Sequence, residues 1–324
     1  MFSSTRMIFS VSAALALASL SSVFAVPVAN TGVSSLVSRA TAPSPAFVVY
    51  TDKFVSADVL PPATQLAGFN VVALSFLTLA GPRDQAQAYA ALSADARAAK
   101  KSEYSQAGIN IIVSAFGSTD TPTTSGADPV GTANTMAQFV LTNALDGIDV
   151  DYEDLEAMNK GDGAAEAWVT TFTQTLRQTL PQGQFILTHA PLAPWLSPNA
   201  QFKAGAYLTV DKNVGSLIDW YNVQFYNQQT YTDCESLLNT STGPFTGSSL
   251  FEIAANGVSL NKLVIGKPGG ASDANNGDGF IDPATLGTCI DQAKAKGWSA
   301  GVMAFQFPEA DATWIKSAKG TSFQ

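Results

Sequence analysis

Eight short apolar runs, rich in β-branched residues, recur along the chain and restrict its fold more than any other feature. They lie at residues 47–51, 71–76, 109–116, 147–152, 185–190, 218–226, 262–266 and 301–307. Helix-like stretches separate most of them, and the clearest are 93–108, 132–145, 164–180 and 282–297. Apolar strands that alternate with helices indicate a parallel sheet covered on both faces. Eight such units over about 270 residues predict a single (β/α)8 barrel, a fold of roughly 250 residues.

Two further features of the whole chain narrow the choice of fold and partner. An open doubly wound sheet is the competing fold, but no glycine-rich phosphate loop follows the first strand. The chain has 324 residues, 46% hydrophobic and 13% charged, so it can bury a large core. Its net charge is −9 and no cluster of Lys or Arg forms a basic patch. Nucleic acids and anionic membranes are therefore not expected as partners.

The N-terminus predicts export from the cell. Arg6 supplies a positive charge, an apolar stretch follows to Leu20, and Val23-Phe24-Ala25 fits a cleavage site after Ala25. A membrane anchor is the alternative, but the apolar stretch is short and interrupted by serine. Residues 26–45 are rich in Ser, Thr and Pro and predict a flexible leader. We therefore expect a signal peptide at 1–25, a leader at 26–45 and a secreted catalytic domain at 46–324.

The two cysteines, Cys234 and Cys289, permit one disulfide in a secreted chain. A pair this far apart would stabilise the fold by roughly 4 kcal/mol in the chain-entropy description. The sequence alone leaves open whether the two residues meet. Asn239, in the triplet NTS, is the N-glycosylation acceptor that we find.

Residues 145–154, LDGIDVDYED, crowd carboxylates into the predicted fourth strand. Asp149, Asp151 and Glu153 alternate with apolar or aromatic residues and therefore share one face of that strand. In a barrel this face points inward, and successive residues step toward the carboxyl-end mouth, where such barrels hold their active sites. Glu153 is then nearest the mouth and Asp149 deepest. Asp146 is out of phase with the other three and is expected to have a structural role.

Three stacked carboxyls cannot all be charged in a dry interior, because sharing protons raises at least one pKa. A carboxyl that stays protonated near neutral pH can protonate the leaving oxygen of a glycoside. A solvated acidic loop is a weaker interpretation, since it would not interleave Ile148, Val150 and Tyr152. A divalent metal needs a cage of ligands, whereas this spacing gives a column. We therefore expect a glycosidase site with no metal and no cofactor.

The segment DGIDVDYE at 146–153 resembles the DGxDxDxE signature of glycoside hydrolase family 18. That family holds chitinases and endo-β-N-acetylglucosaminidases on (β/α)8 barrels, and the resemblance extends from about Phe47 to Ser317. SAFG at 114–117 is similar to the family's Ser-x-Gly-Gly third strand, with Phe116 in place of the first glycine. Phe305 stands where the family usually has a Trp that floors the central sugar subsite. The other matching strand motifs are THAP at 188–191, QFYN at 224–227 and GVMAF at 301–305.

The resemblance implies a retaining, substrate-assisted reaction, in which the 2-acetamido oxygen of the sugar attacks its own anomeric carbon. Glu153 would protonate the leaving oxygen and then deprotonate the incoming water. Asp151 would orient the acetamide N–H and stabilise the oxazolinium-like intermediate, and Asp149 would share a proton with Asp151. Tyr226 would donate its hydroxyl to the acetamide carbonyl. Further substrate contacts are expected from Gln224, Asn227, Phe305 and Trp195.

Some of the remaining signals leave alternatives open. Trp195 follows the fifth strand on the mouth side and would stack on a sugar, although packing within a loop fits the same position. His189, the single histidine, either lines the barrel or fills the core. Trp168 and Trp298 are expected in the core. The stretch DANNGDGFID at 273–282 resembles a calcium loop with its glycine out of place, and a surface loop is the preferred interpretation.

Both activities of the family cleave a β-1,4 bond that follows an N-acetylglucosamine. FVVYTDK, VDYEDLEAMN and LTHAPLAPW resemble fungal secreted endo-β-N-acetylglucosaminidases more than plant-type chitinases. This favours the diacetylchitobiose core of N-glycans as substrate, with chitin oligosaccharides and an endo-chitinase activity as the alternative. A catalytically inactive carbohydrate-binding barrel would be expected to lack the terminal acid, whereas Glu153 is present. We expect a secreted, monomeric glycoprotein without membrane or nucleic-acid partners.

Overall fold

Eight parallel strands close into a barrel in the computed structural model, which describes residues 41–52 and 60–324. The predicted signal peptide and the leader up to residue 40 lie outside these described residues. A two-residue strand, β3, adds antiparallel to β2, and β1 closes the barrel by pairing with both β2 and β9. The strands are β1 Ala46–Thr51, β2 Val71–Thr78, β3 Gly81–Pro82, β4 Asn110–Gly117, β5 Gly147–Tyr152, β6 Ile186–His189, β7 Trp220–Gln224, β8 Leu263–Pro268 and β9 Gly301–Phe305.

Helices cover the outside of the barrel, so the predicted (β/α)8 architecture is confirmed. In the described part of the link from β1 to β2, the helical segment is a short 3-10 turn, Ala63–Leu66. No helix of the described residues is long and apolar enough to cross a membrane. The α-helices are α1 Asp84–Ala91, α2 Ala94–Gln106, α3 Pro129–Thr142, α4 Leu155–Lys160, α5 Ala164–Thr179, α6 Ala206–Val214, α7 Cys234–Leu238, α8 Leu250–Ala255, α9 Pro283–Ala295 and α10 Ala312–Ala318.

Local sequence explains where the helices begin. The Asp282 carboxylate accepts the amides of Ala284 and Thr285, and Pro283 fills the first position of α9. The same pair of residue types, Asp128 and Pro129, starts α3 at residue 129 rather than at the predicted 132. The sequence prediction placed the start of α3 too late because the N-cap residue Asp128 precedes the apolar periodicity from which the helix was predicted.

A side-chain acceptor fastens the base of the barrel at every second strand interface from β1 to β7. Asn70, Asp146 and Asp219 each stand immediately before a strand, namely β2, β5 and β7. Each accepts the backbone amide of the second residue of the neighbouring preceding strand, at 2.7, 2.8 and 2.8 Å respectively. Asp146 also forms an ion pair with Lys101 at 2.7 Å. Both contacts are structural, as expected for a residue that does not share the inward face of Asp149, Asp151 and Glu153. We call these three contacts the base clasps.

The interior is packed too tightly for a side chain at one position of the acidic motif. A Cβ on Gly147 would lie 2.0 Å from the carbonyl oxygen of Ile186 on β6. Glycine therefore lets β5 and β6 approach closely, and this contact sets the height along the barrel axis of the inward-pointing residues that follow in β5. The strand register then sets Ser114, Asp149 and Thr188 side by side on β4, β5 and β6.

An aromatic layer fills the space between β4–β6 and the helices. Trp168 and Phe172 on α5 stack at 4.9 Å between ring centroids, and Phe116 packs against both. Trp168 is buried, and so is Trp298, as expected. Phe116 has a φ of +77°, a left-handed conformation that side chains rarely adopt. The backbone therefore keeps a glycine-like shape where the family's glycine stands, while the ring turns outward into the helix layer.

The link from β7 to β8, the least clear part of the sequence, contains α7 and α8. Cys234 at the start of α7 and Cys289 in α9 are joined by a disulfide that closes a separation of 55 residues. Asn239, the predicted glycosylation acceptor, follows α7 and is partly exposed, with its amide nitrogen donating to Glu235 at 2.7 Å. The disulfide thus ties the excursion after β7 to the helix that precedes β9.

Candidate active site

The acidic column stands in the barrel in the predicted order. Asp149 and Asp151 point inward from β5, and Glu153 follows directly after that strand ends. Asp149 is fully buried, Asp151 is 4% exposed and Glu153 is partly exposed. The depth therefore decreases from Asp149 to Glu153, which places Glu153 nearest to the mouth.

Asp149 is held by four hydrogen-bond donors from four other strands. Its Oδ2 accepts the hydroxyls of Tyr50 at 2.6 Å and Ser114 at 2.8 Å. Its Oδ1 accepts Thr188 Oγ1 at 2.6 Å and Asn222 Nδ2 at 3.1 Å. Burial raises the pKa of Asp149, while these four hydrogen bonds oppose the rise by favouring the carboxylate. The arrangement supplies donors for a buried negative charge, and no Lys, Arg or His of the described residues is among the four partners.

Asp151 and Glu153 form a hydrogen-bonded carboxyl pair. Burial, then the charges of Glu153 and Asp149, raise the pKa of Asp151 well above its usual range. Burial also raises the pKa of Glu153, against the hydrogen bonds from Gln224 and Asp151. Two carboxyls can share a hydrogen bond only if one of them carries a proton. A hydrogen bond within this pair therefore requires one proton. The predicted sharing of a proton between Asp149 and Asp151 stays a prediction, and the negative charge of Asp149 contributes to the raised pKa of Asp151.

Gln224 connects the carboxyl pair to the neighbouring wall of the barrel. Its Nε2 donates to Asp151 Oδ1 at 2.9 Å and lies 3.4 Å from Glu153 Oε1. The same nitrogen donates to the carbonyl of Ala190 at 2.9 Å. Gln224 is 4% exposed, so it positions the two acids from the side. The direct substrate contact that the sequence led us to expect from Gln224 stays a prediction.

Tyr226 and Phe305 stand together beside the carboxyl pair. Their rings stack with 6.5 Å between centroids and 18° between planes, and Phe305 also packs on Tyr50 at 6.0 Å. Burial, followed by the charges of Asp151 and Glu153, raises the pKa of Tyr226 well above its usual range. Its hydroxyl therefore stays protonated and remains a donor. Phe305 is partly exposed and ends β9, so it offers an apolar surface at the mouth.

Two predicted substrate contacts are not brought to the carboxyl pair. Trp195 is 1% exposed and stacks on Tyr207 at 5.9 Å, because the 3-10 turn after β6 folds it against α6. Its ring has no open face for a sugar, so the loop-packing alternative is correct. Asn227 is exposed beyond the end of β7, and its Oδ1 accepts the amide of Asn275 at 2.7 Å. This contact holds the loop at Asn275, and a substrate contact from Asn227 stays a prediction.

His189 lies in the core outside the barrel wall. It contacts Thr173 at 3.2 Å and Tyr207 at 3.1 Å and is fully buried. Burial and the charge of Arg177 lower the pKa of His189 to about 3, so it is a neutral packing residue. It does not line the barrel, because it alternates with the inward-pointing Thr188.

The loop at 273–282 uses its acidic side chains to hold backbone segments. Asp273 accepts the amide of Gly270 at 2.9 Å, Asp278 accepts that of Gln229 at 2.7 Å, and Asp282 caps α9. These carboxylates serve three separate segments and do not converge. Within the described ranges, no group of three or more His, Cys, Asp or Glu side chains is arranged to hold a metal ion.

A closed parallel barrel with paired carboxyls at its carboxyl-end mouth has the groups that a glycoside hydrolase needs. The family model described as "Glycosyl hydrolases family 18" matches residues 46–322. The chain therefore belongs to glycoside hydrolase family 18. No curated protein matches the chain in a sequence search.

Solved structures show the same fold. A chitinase of this family from Pseudoalteromonas aurantia is 27% identical, with a TM-score of 0.69 over 85% of this chain and 99% of that chain. A fungal endo-β-N-acetylglucosaminidase of family 18 is 18% identical, with a TM-score of 0.61 over 85% and 96%. A chitinase from Aspergillus fumigatus is 17% identical, with a TM-score of 0.59 over 81% and 91%. The last two are similar in fold alone.

Sequence reasoning missed all four residues that hold Asp149. Tyr50, Ser114, Thr188 and Asn222 were not predicted as site residues, although each is a polar side chain within an apolar strand. A polar residue at an inward position of a barrel strand is itself a signal, because the interior must satisfy it. Applying the alternation that identified the acidic column to β1, β4, β6 and β7 would have placed all four side chains on the inward face, but only the register of the closed barrel shows that they meet at Asp149.

Proposed function

We propose that this site hydrolyses the β-1,4 bond that follows an N-acetylglucosamine residue, by a retaining and substrate-assisted reaction. The observation that carries the proposal is the pair of carboxyls, Asp151 and Glu153, that Gln224 bridges at the barrel mouth. Burial raises the pKa of both carboxyls, so one proton is retained toward neutral pH. A retained proton next to the mouth supplies general acid catalysis to a glycosidic oxygen.

Glu153 is the proposed acid, since it is the member of the pair nearest to the mouth. It protonates the leaving oxygen as the acetamido oxygen of the substrate attacks the anomeric carbon. The resulting Glu153 carboxylate then takes a proton from the water that opens the oxazolinium-like intermediate. The amide of Gln224, which lies 3.4 Å from Glu153 Oε1, favours that carboxylate and so supports the second step.

Asp151 is the proposed partner of the acetamide N–H, because it is one inward step deeper than Glu153. Its negative charge stabilises the positively charged intermediate once the proton has left the pair. Asp149, fixed by four donors, holds a further negative charge below it. Tyr226 donates its hydroxyl to the acetamide carbonyl and aligns that oxygen for attack. Phe305 supplies the apolar floor for the sugar ring.

The first candidate substrate is the diacetylchitobiose core of N-glycans. The support comes from the sequence resemblance to fungal secreted endo-β-N-acetylglucosaminidases and from Phe305, which gives a smaller floor than Trp. Chitin oligosaccharides are the second candidate, and the 27% identity to a bacterial chitinase over nearly all of that chain favours them. Both substrates present the same bond and the same acetamido group to the carboxyl pair.

The proposal extends to the location of the protein. We propose a secreted monomer, and the disulfide between Cys234 and Cys289 supports this location because such bonds persist in oxidising compartments. The signal peptide predicted from the sequence of residues 1–25 also supports secretion.

A mass spectrum of a high-mannose glycoprotein before and after incubation tests the function. Loss of the glycan with one N-acetylglucosamine left on each Asn is the expected result. An unchanged glycoprotein combined with cleavage of chitin oligomers would select the second candidate. Glu153→Gln should lower turnover by about 100-fold or more while retaining sugar binding. If both substrates survive with the wild-type chain, the protein is a carbohydrate-binding barrel and the proposal is wrong.

A further inference from the structure

A lysine is sealed between β8 and the loop that follows β7. Lys267 is fully buried, and its Nζ donates to the carbonyls of Phe225 at 2.7 Å and Tyr231 at 2.8 Å. Its neighbour Gly266 pairs with the inward-pointing Gln224, so Lys267 lies on the outer face of β8. None of the ion pairs within the described chain includes Lys267.

A buried amine of this kind is costly and calls for an explanation. Burial lowers the pKa of Lys267 to about 7, against the charge of Asp278, so the fold works against its charged form. Lysine is rarely buried completely unless it is paired. The proposed chemistry of the carboxyl pair makes no use of this residue.

The segment that Lys267 holds is the one that carries Tyr226. Residues 225–231, which we call the tyrosine loop, leave β7 at the mouth of the barrel. Within it Asn227, Gln229 and Tyr231 have φ values of 64°, 60° and 63°. Left-handed backbone costs roughly 1–2 kcal/mol at each such residue, so the loop keeps this shape only where its surroundings impose it.

Lys267 and Asp278 impose that shape from two sides. The two carbonyls bound by Lys267 belong to the first and last residues of the tyrosine loop, which the amine draws together. In the middle, the Asp278 carbonyl accepts the Asn227 amide at 3.1 Å, and its carboxylate accepts the Gln229 amide at 2.7 Å. Gly279 packs so closely that a Cβ there would lie 2.6 Å from Tyr226 Cα.

We propose that Lys267 is a positioning residue, which closes the tyrosine loop and thereby aims the Tyr226 hydroxyl at the acetamido group of the substrate. The inference rests on the proposed function, because it assigns Lys267 a role through Tyr226 in that reaction. It does not require Lys267 to touch the substrate.

A double-mutant cycle on kcat/KM separates positioning from a general effect on the fold. Lys267→Met keeps the stem of the side chain and removes both hydrogen bonds. We expect it to lower kcat/KM by about 10- to 100-fold in the wild-type chain, since small misplacements of aligned groups have effects of this size. In a Tyr226→Phe background the same change should cost less than about 2-fold. Equal losses in both backgrounds would overturn the proposal.

Lys262 provides a matched control at the opposite end of β8. Its Nζ also donates to two backbone carbonyls, those of Gly215 and Ile218, at the base of the barrel. Lys262→Met should leave kcat/KM within about 2-fold of the wild type. A loss as large as that of Lys267→Met would show a generic effect of removing a lysine that binds carbonyls, and would overturn the positioning role.

Two further arms keep the test decisive. If Lys267→Met does not fold, Asp278→Ala loosens the same loop from its partly exposed side. It should reduce kcat/KM in the wild-type chain but not in Tyr226→Phe, and equal losses again overturn the proposal. Glu153→Gln is measured in parallel. If turnover depends on Glu153 but Lys267→Met lowers kcat/KM equally in both backgrounds, only the role of Lys267 is rejected. If the wild-type chain shows no turnover, both proposals are rejected.

Discussion

Replacing Thr188 with valine should show whether Asp149 is held as a carboxylate inside the barrel. Both side chains are fully buried, and they are joined by a hydrogen bond of 2.6 Å. Valine keeps the shape of threonine but removes the hydroxyl, so Asp149 loses one of its four donors. Hydrogen bonds to charged groups contribute about 1.5–3 kcal/mol to stability. We expect Thr188→Val to lower the free energy of unfolding by that amount in urea titrations near neutral pH.

Thr175→Val is the matched control for this measurement. Thr175 is 5% exposed, and its hydroxyl donates at 2.8 Å to the backbone carbonyl of Thr171 within α5. The same chemical change there removes a hydrogen bond between neutral groups, which contributes about 0.5–1.5 kcal/mol. The expected difference between the two variants is therefore about 1 kcal/mol or more.

The pH dependence of the Thr188→Val effect provides the refutation. Burial raises the folded pKa of Asp149 above its unfolded value, so the native state binds more protons between the two values. In that window the contribution of Asp149 to stability falls as pH rises. Valine removes a donor and so raises the pKa of Asp149 in the folded state further. The stability lost on Thr188→Val is therefore complete at a pH above the folded-state pKa of Asp149 in both proteins, and it shrinks as pH falls. A loss of stability equal to that of Thr175→Val, or a loss that does not shrink as pH falls, would show that Asp149 is not held as a carboxylate.

Two other substitutions test the electrostatics of the site and the backbone of β4. Gln224→Leu removes a hydrogen-bond donor that favours the Glu153 carboxylate, so the pKa of Glu153 should rise. The alkaline limb of the pH profile of kcat/KM should then move to higher pH, and an unchanged alkaline limb would contradict this. Phe116→Gly loses a buried ring but relieves left-handed strain of about 1 kcal/mol, and should destabilise by about 2–4 kcal/mol. Phe116→Ala keeps the strain and should be less stable than Phe116→Gly in thermal unfolding, whereas the reverse order would refute the strain argument.

The eight strands could be predicted because their signal is local. Each is a short apolar run, and the alternation within residues 147–152 identifies the inward carboxylates without any knowledge of the neighbouring strands. The donors to Asp149 could not be identified by the same argument alone. Tyr50 and Asn222 lie 172 positions apart in the sequence, and only the register of a closed barrel brings them to the same carboxylate.

The predicted substrate-binding residues that lie away from the carboxyl pair stand where the alternation ends. Asn227 stands three residues beyond the end of β7, in left-handed backbone, so strand phase says nothing about its direction. Trp195 follows β6, but the turn after that strand folds back onto α6, and tertiary packing decided its place. The disulfide between Cys234 and Cys289 was equally inaccessible, because no pattern in the sequence encodes the approach of α7 to α9.

The base clasps divide the barrel into pairs of strands. They lock β1 with β2, β4 with β5 and β6 with β7, while Ala300, which precedes β9, has no side-chain acceptor to complete the series. A shift of one residue in strand register would turn every inward side chain of a strand outward. Each base clasp therefore fixes the register of its two strands independently of the other pairs, so the register of the barrel is set two strands at a time. Cuts for circular permutation or for reassembly from fragments should therefore be better tolerated between clasped pairs than within them.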